Sequence, residues 1–321
     1  MSIPASFFGI VLGLVSLASN WRGAVHLWGM PPVIGEILMA TAFATWALLA
    51  VCYVFKWVGQ REAALAEWQH PVQCCYIGLI PATTALMGVA LAPYSRELAN
   101  LALWLGAAGH LLFSVWRVGA MLQGDRDIAT ITPVTYLPSV AGNFIVAITA
   151  GTLGHASWGL LFFGAGLFMW LAMESIIVNR LLHAAALQAP LRPTLGIQLA
   201  PPVVAVTAWL ANTQGAPEWL VQATWGYGIF QLLLLIRLLP WIFKQPFAPS
   251  YWAFTFGLTA LSGGGIQMTL RGAQGAIADM SPVLFVFTNV VLGLIVIGTL
   301  TLLLQRKLVP HVAAPARQEE A

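Results

Sequence analysis

The sequence predicts an all-α integral membrane protein of ten transmembrane helices, arranged as five tandem helical hairpins. Three observations predict it. Of 321 residues, 59% are hydrophobic and only 8% are charged, whereas a soluble domain carries about 25% charged residues. So much apolar surface requires lipid as its solvent. Ten apolar runs follow one another along the chain, each close to the roughly 20 residues that cross a bilayer. Lys and Arg, finally, gather in alternate loops.

The runs lie near 5–20, 32–57, 73–92, 98–122 and 133–152, then near 157–181, 194–212, 217–243, 249–269 and 281–305. The first is short and is expected to begin within the membrane interface. No Lys or Arg precedes it and no small-residue cleavage site stands out, so it reads as a retained first helix. Of the three cysteines, Cys52 sits in an apolar run and Cys74 and Cys75 are adjacent. That spacing suits no usual zinc site, and small buried apolar residues are the better reading.

Orientation follows from the cations. The loops and helix ends after runs 2, 4, 6, 8 and 10 hold Lys56, Arg61, Arg117, Arg126, Arg180, Arg192, Arg237, Lys244, Arg306, Lys307 and Arg317. The other side holds Arg22, Arg96 and Arg271. Eleven of fourteen on one side is a positive-inside bias. It places both termini in the cytoplasm, which needs an even number of spans. Trp57, Trp104, Trp158, Trp219 and Trp241 fall near run ends, as interfacial anchors would, although lipid-facing bulk would place them there too. The expected organisation is one transmembrane domain over 1–307, followed by a disordered cytoplasmic tail over 308–321.

Odd and even runs differ. Pro81, Pro138, Pro201 (with Pro202) and Gly257 each interrupt an odd run near its middle, at intervals of 57, 63 and 56 residues. In the first run the equivalent stretch centres on Val11. A period near 60 is two helices and two loops, so the chain divides into hairpins at about 1–62, 70–124, 133–185, 192–245 and 249–307, all in one orientation. A helix breaker frees backbone groups that in a membrane must meet neighbouring helices or a water-filled cavity. Breakers at matching depth predict an inner ring of kinked odd helices around a pore, enclosed by straighter even helices.

Several stretches carry a family resemblance: FFGIVLGL at 7–14, HPVQ at 70–73, LIPATTALMG at 79–88, LLFSVWRV at 111–118 and LFFGAGLFMW at 161–170. LAPPVVAV at 199–206, WGYGIFQLLLLIRLLPWI at 225–242 and YWAFTFGLTAL at 251–261 continue it. In order and spacing the chain resembles the bacterial TehA family, tellurite-resistance proteins related to the plant guard-cell slow anion channel and the fungal malate permease. The resemblance implies a ten-helix anion channel with pseudo-fivefold symmetry, usually a homotrimer with one pore per subunit. It also implies a phenylalanine of the ninth helix plugging the pore. That plug falls on Phe256, with Phe254 the alternative if the register is shifted by two. The family pattern has proline where this chain has Val11, which predicts a less kinked first inner helix.

The expected function is passage of small monovalent anions or oxyanions. The odd runs carry no Lys or Arg near their middle, which predicts weak binding and selectivity by low field strength. Glu36, His110, Arg117, Glu174 and Arg237 are the ionisable residues within or near runs. All lie on even helices, where snorkelling or structural ion pairing is the simpler role for Arg117, Glu174 and Arg237. Glu174 is also the candidate proton-coupling carboxylate of the alternative reading, a proton-coupled C4-dicarboxylate carrier or an efflux transporter for tellurite or other toxic ions. Asn143 either lines the pore or bonds to a neighbouring helix. No GxSxG, HExxH or GxGD pattern suggests an enzyme, no histidine pair suggests haem, and no phosphate-binding loop suggests ATP-driven transport. No cofactor, metal or nucleic acid is expected; the partners are small anions and membrane lipid.

Overall fold

The computed structural model describes residues 3–309. All but the start of the expected tail lies outside the described residues. Twelve α-helices follow one another: α1 (Phe8–Trp28), α2 (Pro32–Gly59), α3 (Arg61–Gln69), α4 (Cys74–Ile77), α5 (Leu79–Leu91) and α6 (Arg96–Met121), then α7 (Gly142–Thr152), α8 (Ala156–His183), α9 (Ala200–Asn212), α10 (Trp219–Ile242), α11 (Thr255–Leu270) and α12 (Ala276–Leu304). Local sequence sets several ends. Gly29 closes α1 in the left-handed region at φ 65°, which glycine adopts without a Cβ penalty. The Ser95 side chain caps α6 by accepting the N–H of Leu98 at 3.2 Å.

Among the described residues, nine helices are long and apolar enough to cross a membrane, counting each short lead-in segment with its α-helix. Those nine correspond to nine of the ten expected runs. The exception is the run near 249–269, a 3-10 segment Pro249–Phe254 continued by α11. Its sequence TFGLTALSGGGIQMTL is too polar and glycine-rich to meet a hydropathy requirement. Burial explains the composition: nearly every α11 residue is shielded by protein, packed among α1, α9 and α12. A helix that never faces lipid has no need of an apolar surface.

The same division runs through the whole chain. Between half and nine-tenths of each of the first, third, fifth and seventh spans is buried, against a third or less of each even-numbered one. Every odd helix packs on the even helix that follows it. In addition α1 packs on α5, α5 on α7, α7 on α9, α9 on α11 and α11 on α1, so the buried helices close into a ring. Close approach depends on small residues. A Cβ at Gly106 of α6 would run into the backbone of Ala85 in α5, and one at Gly151 of α7 into the carbonyl of Ala211 in α9.

The breakers lie where their inner spans change from an irregular lead-in to regular α-helix. Each inner span starts with a short or irregular segment and then becomes regular α-helix. The lead-ins are 3-10 turns at Ala5–Phe7, Ala189–Leu199 and Pro249–Phe254, the short α4 broken at Gly78, and a 3-10 turn Pro133–Tyr136 followed by a π turn Leu137–Ala141. Pro81, Pro201, Pro202 and Gly257 sit in the first turns of α5, α9 and α11, and Pro138 lies in the π turn. A first turn is where proline's missing N–H costs least. The breakers therefore mark the junction at which α-helix begins.

The first helix is longer than expected, continuing through Asn20, Trp21 and Arg22 to Trp28. Its polar residues are satisfied by neighbours: Asn20 donates to the Thr259 carbonyl at 2.8 Å, Trp21 to Asn289 at 2.9 Å, and Arg22 pairs with Glu36 at 2.8 Å. The three arginines of the sparsely charged side share a further task. Arg22 reaches the carbonyl of Val89 near the end of α5, Arg96 that of Leu153 at the end of α7, and Arg271 that of Leu210 near the end of α9. Each cation meets the negative end of an inner helix dipole.

Candidate functional site

A cavity of about 200 Å³ opens inside the ring. All five inner spans wall it, through residues such as Gly9, Leu79, Val140, Val204 and Phe256. Its polar lining, including Ser6, Gln73, Tyr136, Thr194 and Ser250, comes from the lead-in segments and their approaches. Deeper, where the α-helices begin, the wall is apolar: Leu12, Phe144, Val204 and Phe256. Among the described residues no Lys, Arg, Asp or Glu lines it. The positive ends of the inner helix dipoles lie at this depth, so the cavity carries a weak field favourable to negative charge without a fixed cation.

Phe256 stands in the first turn of α11 and is 8% exposed, its ring on the cavity. Gly257 beside it lets α11 approach α9, since a Cβ there would lie 2.9 Å from the Leu199 side chain. Phe254 faces away. It packs on Gly196, where a Cβ would come within 2.7 Å of it, and lines a separate apolar crevice. Of the other breakers only Pro201 lines the cavity; Pro81 packs against Gly109 of α6.

The expected ion pairs of Glu174, Arg117 and Arg237 do not form. Among the described residues the ion pairs are Arg22–Glu36 and Lys56–Glu67. Arg117 donates instead to the Pro71 carbonyl at 2.6 Å, and Arg237 is exposed on α10. Glu174 is held by neutral donors. The Tyr136 hydroxyl reaches it at 2.5 Å, Trp170 Nε1 and the Tyr227 hydroxyl at 2.9 Å, Gln198 at 3.1 Å and Gln231 at 3.5 Å. Neutral hydrogen bonds thus solvate the carboxylate in place of a cation. Tyr136 also lines the cavity, so one side chain joins this cage to the cavity wall.

The cage was not foreseen. Its i, i+4 pairs, Trp170 with Glu174 and Tyr227 with Gln231, were readable as sharing helix faces, but nothing local brings Tyr136 and Gln198 to them. Asn143 does not line the cavity; its amide donates to the Ser139 carbonyl of its own turn at 2.7 Å, and its side chain also meets His110 of the neighbouring helix α6. His110 is fully buried, its ring against Gly142 at the start of α7.

Comparison with known proteins bears on this geometry. The family profile described as voltage-dependent anion channel, SLAC1, matches residues 2–301. The chain belongs to that family. The chain is 36% identical over 299 residues to a tellurite resistance protein TehA homolog of Haemophilus influenzae, covering 93% of this chain and 90% of the relative. It is 25% identical to an uncharacterized transporter of Methanocaldococcus jannaschii, over 66% of this chain and 68% of that one. The guard cell S-type anion channel SLAC1 of Arabidopsis thaliana is 24% identical over 82% of this chain, which spans 49% of the plant protein. With nine apolar helices of membrane-crossing length, this SLAC1/TehA family member is a multi-pass membrane protein.

Proposed function

We propose that the protein conducts small monovalent anions or oxyanions through the central cavity, with Phe256 as the gate. One observation carries the reading: the ring of Phe256 sits on a cavity walled by all five inner spans. In this reading α11 is a tenth span, the hairpins surround a pseudo-fivefold axis, and both termini face the cytoplasm of the bacterial inner membrane. A homotrimer with one pore per subunit belongs to the same reading and is checked by the mass of the purified particle.

An anion enters through the polar lead-in segments and exchanges part of its hydration for hydroxyl and amide donors such as Ser6, Gln73 and Thr194. It then meets the positive helix ends. Without a fixed cation it is held weakly, which lets it leave. At the far end the Arg22, Arg96 and Arg271 contacts offset helix carbonyls that would otherwise repel it. Phe256 closes the apolar stretch by occlusion or dewetting.

Planar-bilayer recording of wild type beside Phe256→Ala tests the proposal. A weak or silent wild type and a large, ohmic, anion-selective current in the variant are expected. Equal currents from the two proteins remove Phe256 as the gate.

Glu174 favours a second reading, a proton-coupled carrier of C4-dicarboxylates or toxic oxyanions. Its carboxylate lies one tyrosine from the cavity wall. A carrier requires pH-driven uptake that Glu174→Gln abolishes; a channel requires current that survives the same substitution.

A further inference from the structure

A second cavity, about 450 Å³ in volume, lies outside the ring between α10, α11 and α12. Its lining is almost wholly apolar, with Leu232, Leu239 and Phe243 on one wall and Val291 and Leu294 on the other. Phe254 and Leu258 form the back, on the reverse of the segment that presents Phe256 to the central cavity. The flanking side chains Ile236, Phe243, Val290 and Leu294 are exposed, so the crevice opens onto the lipid face. The depth has a natural match. From Leu232 to Phe243 the wall follows α10 for about 16 Å at its 1.5 Å rise, close to half of a hydrocarbon core roughly 30 Å thick.

The end of the crevice is chemically distinct from its length. Gln245 lines it there, between the exposed Lys244 and Pro246. Arg237 is exposed about two turns back along α10, level with the length of the slot and outside its lining. Among the described residues neither cation is in an ion pair. An apolar slot one leaflet deep, with the unpaired cation Lys244 beside its end, matches an amphiphile with a long chain and an anionic head.

We propose that this crevice binds one acyl chain of an anionic phospholipid, with its headgroup phosphate at Lys244. The lipid belongs to the leaflet on which the lead-in segments of the inner spans open. The site is independent of whether the central cavity conducts.

Native mass spectrometry of the full chain tests the assignment. The protein is stripped of lipid and reconstituted with equal palmitoyl-oleoyl phosphatidylglycerol and phosphatidylcholine. The wild type should retain one phosphatidylglycerol per chain after mild activation. Val291→Phe, which fills the slot, should lose it. Lys244→Gln, a surface change that leaves the slot open, should lower the preference for phosphatidylglycerol about fivefold. No retained lipid on the wild type, or undiminished retention by Val291→Phe, overturns the proposal. Val291→Phe shifting the particle to a smaller oligomer overturns it in favour of a second copy of the chain covering the crevice. An unchanged lipid preference in Lys244→Gln overturns the headgroup assignment.

Discussion

Removing the Glu67 carboxylate should be among the costliest single changes outside the ring. Glu67 lies on α3, and its side chain and that of Lys56 are 7% and 4% exposed. One carboxylate oxygen accepts the backbone N–H of Ala5 at 2.8 Å, at the start of the first inner span. The other accepts Lys56 Nζ at 2.7 Å and the Tyr53 hydroxyl at 3.2 Å. Glu67→Ala strands a buried ammonium left with the Ile3 carbonyl at 3.3 Å and the Tyr53 ring at 5.4 Å. Breaking one side of a buried pair costs about 3–5 kcal/mol, and an orphaned backbone N–H costs about 1–3 kcal/mol. The two losses overlap, because water that reaches the vacated site serves both groups, so a total of about 4 kcal/mol is expected. At roughly 2 °C per kcal/mol for a chain of this size, the melting point of the detergent-solubilised protein should fall by about 8 °C. The control is Lys56→Met combined with Glu67→Ala, which leaves no stranded charge and should recover about half of the loss. A Glu67→Ala protein that melts with the wild type refutes the reasoning. So does a double variant that melts below either single one, since the pair would then act only through its packing.

Other expectations follow from the same geometry. Phe254→Ala should leave bilayer currents at the wild-type level while Phe256→Ala raises them, because only Phe256 lines the central cavity. Gly106→Ala should destabilise by about 1–3 kcal/mol, read as a lower melting point, because the new Cβ meets the backbone of Ala85, which cannot swing aside. Tyr136→Phe removes the shortest hydrogen bond to Glu174 and should cost about 0.6–1.5 kcal/mol in thermal stability. In the carrier reading it should also shift the pH dependence of uptake, whereas in the channel reading only the melting point moves.

Although outer helices also hold prolines such as Pro240 and Pro282, the alternation of inner and outer helices was legible because the breakers near mid-run recur at a regular interval in the odd runs. Their role was read less well. Sequence alone separates poorly a proline that bends a continuous helix from one that opens it, and Pro81 and Pro201 open theirs. The end of α1 was misread for a similar reason. Asn20 and Arg22 look like loop residues until Thr259 and Glu36 are brought beside them from elsewhere in the chain. The Glu174 cage lay beyond reach altogether, since its five donors come from four helical segments and no local pattern announces their meeting. For Phe256 the family resemblance supplied the register, and the side chain's direction distinguishes it from Phe254.

The composition of α11 has a consequence for how the protein is made. With Ser262 and three successive glycines at its centre, this segment gains little by leaving the translocon for lipid unaided. Its favourable surroundings are α1 and α9, made before it, and α12, made after it and far more apolar. The piece that carries Phe256 therefore completes its packing only once α12 follows it and α1 is brought against it from far back in the chain, so the last step of ring closure and the placing of Phe256 are one event.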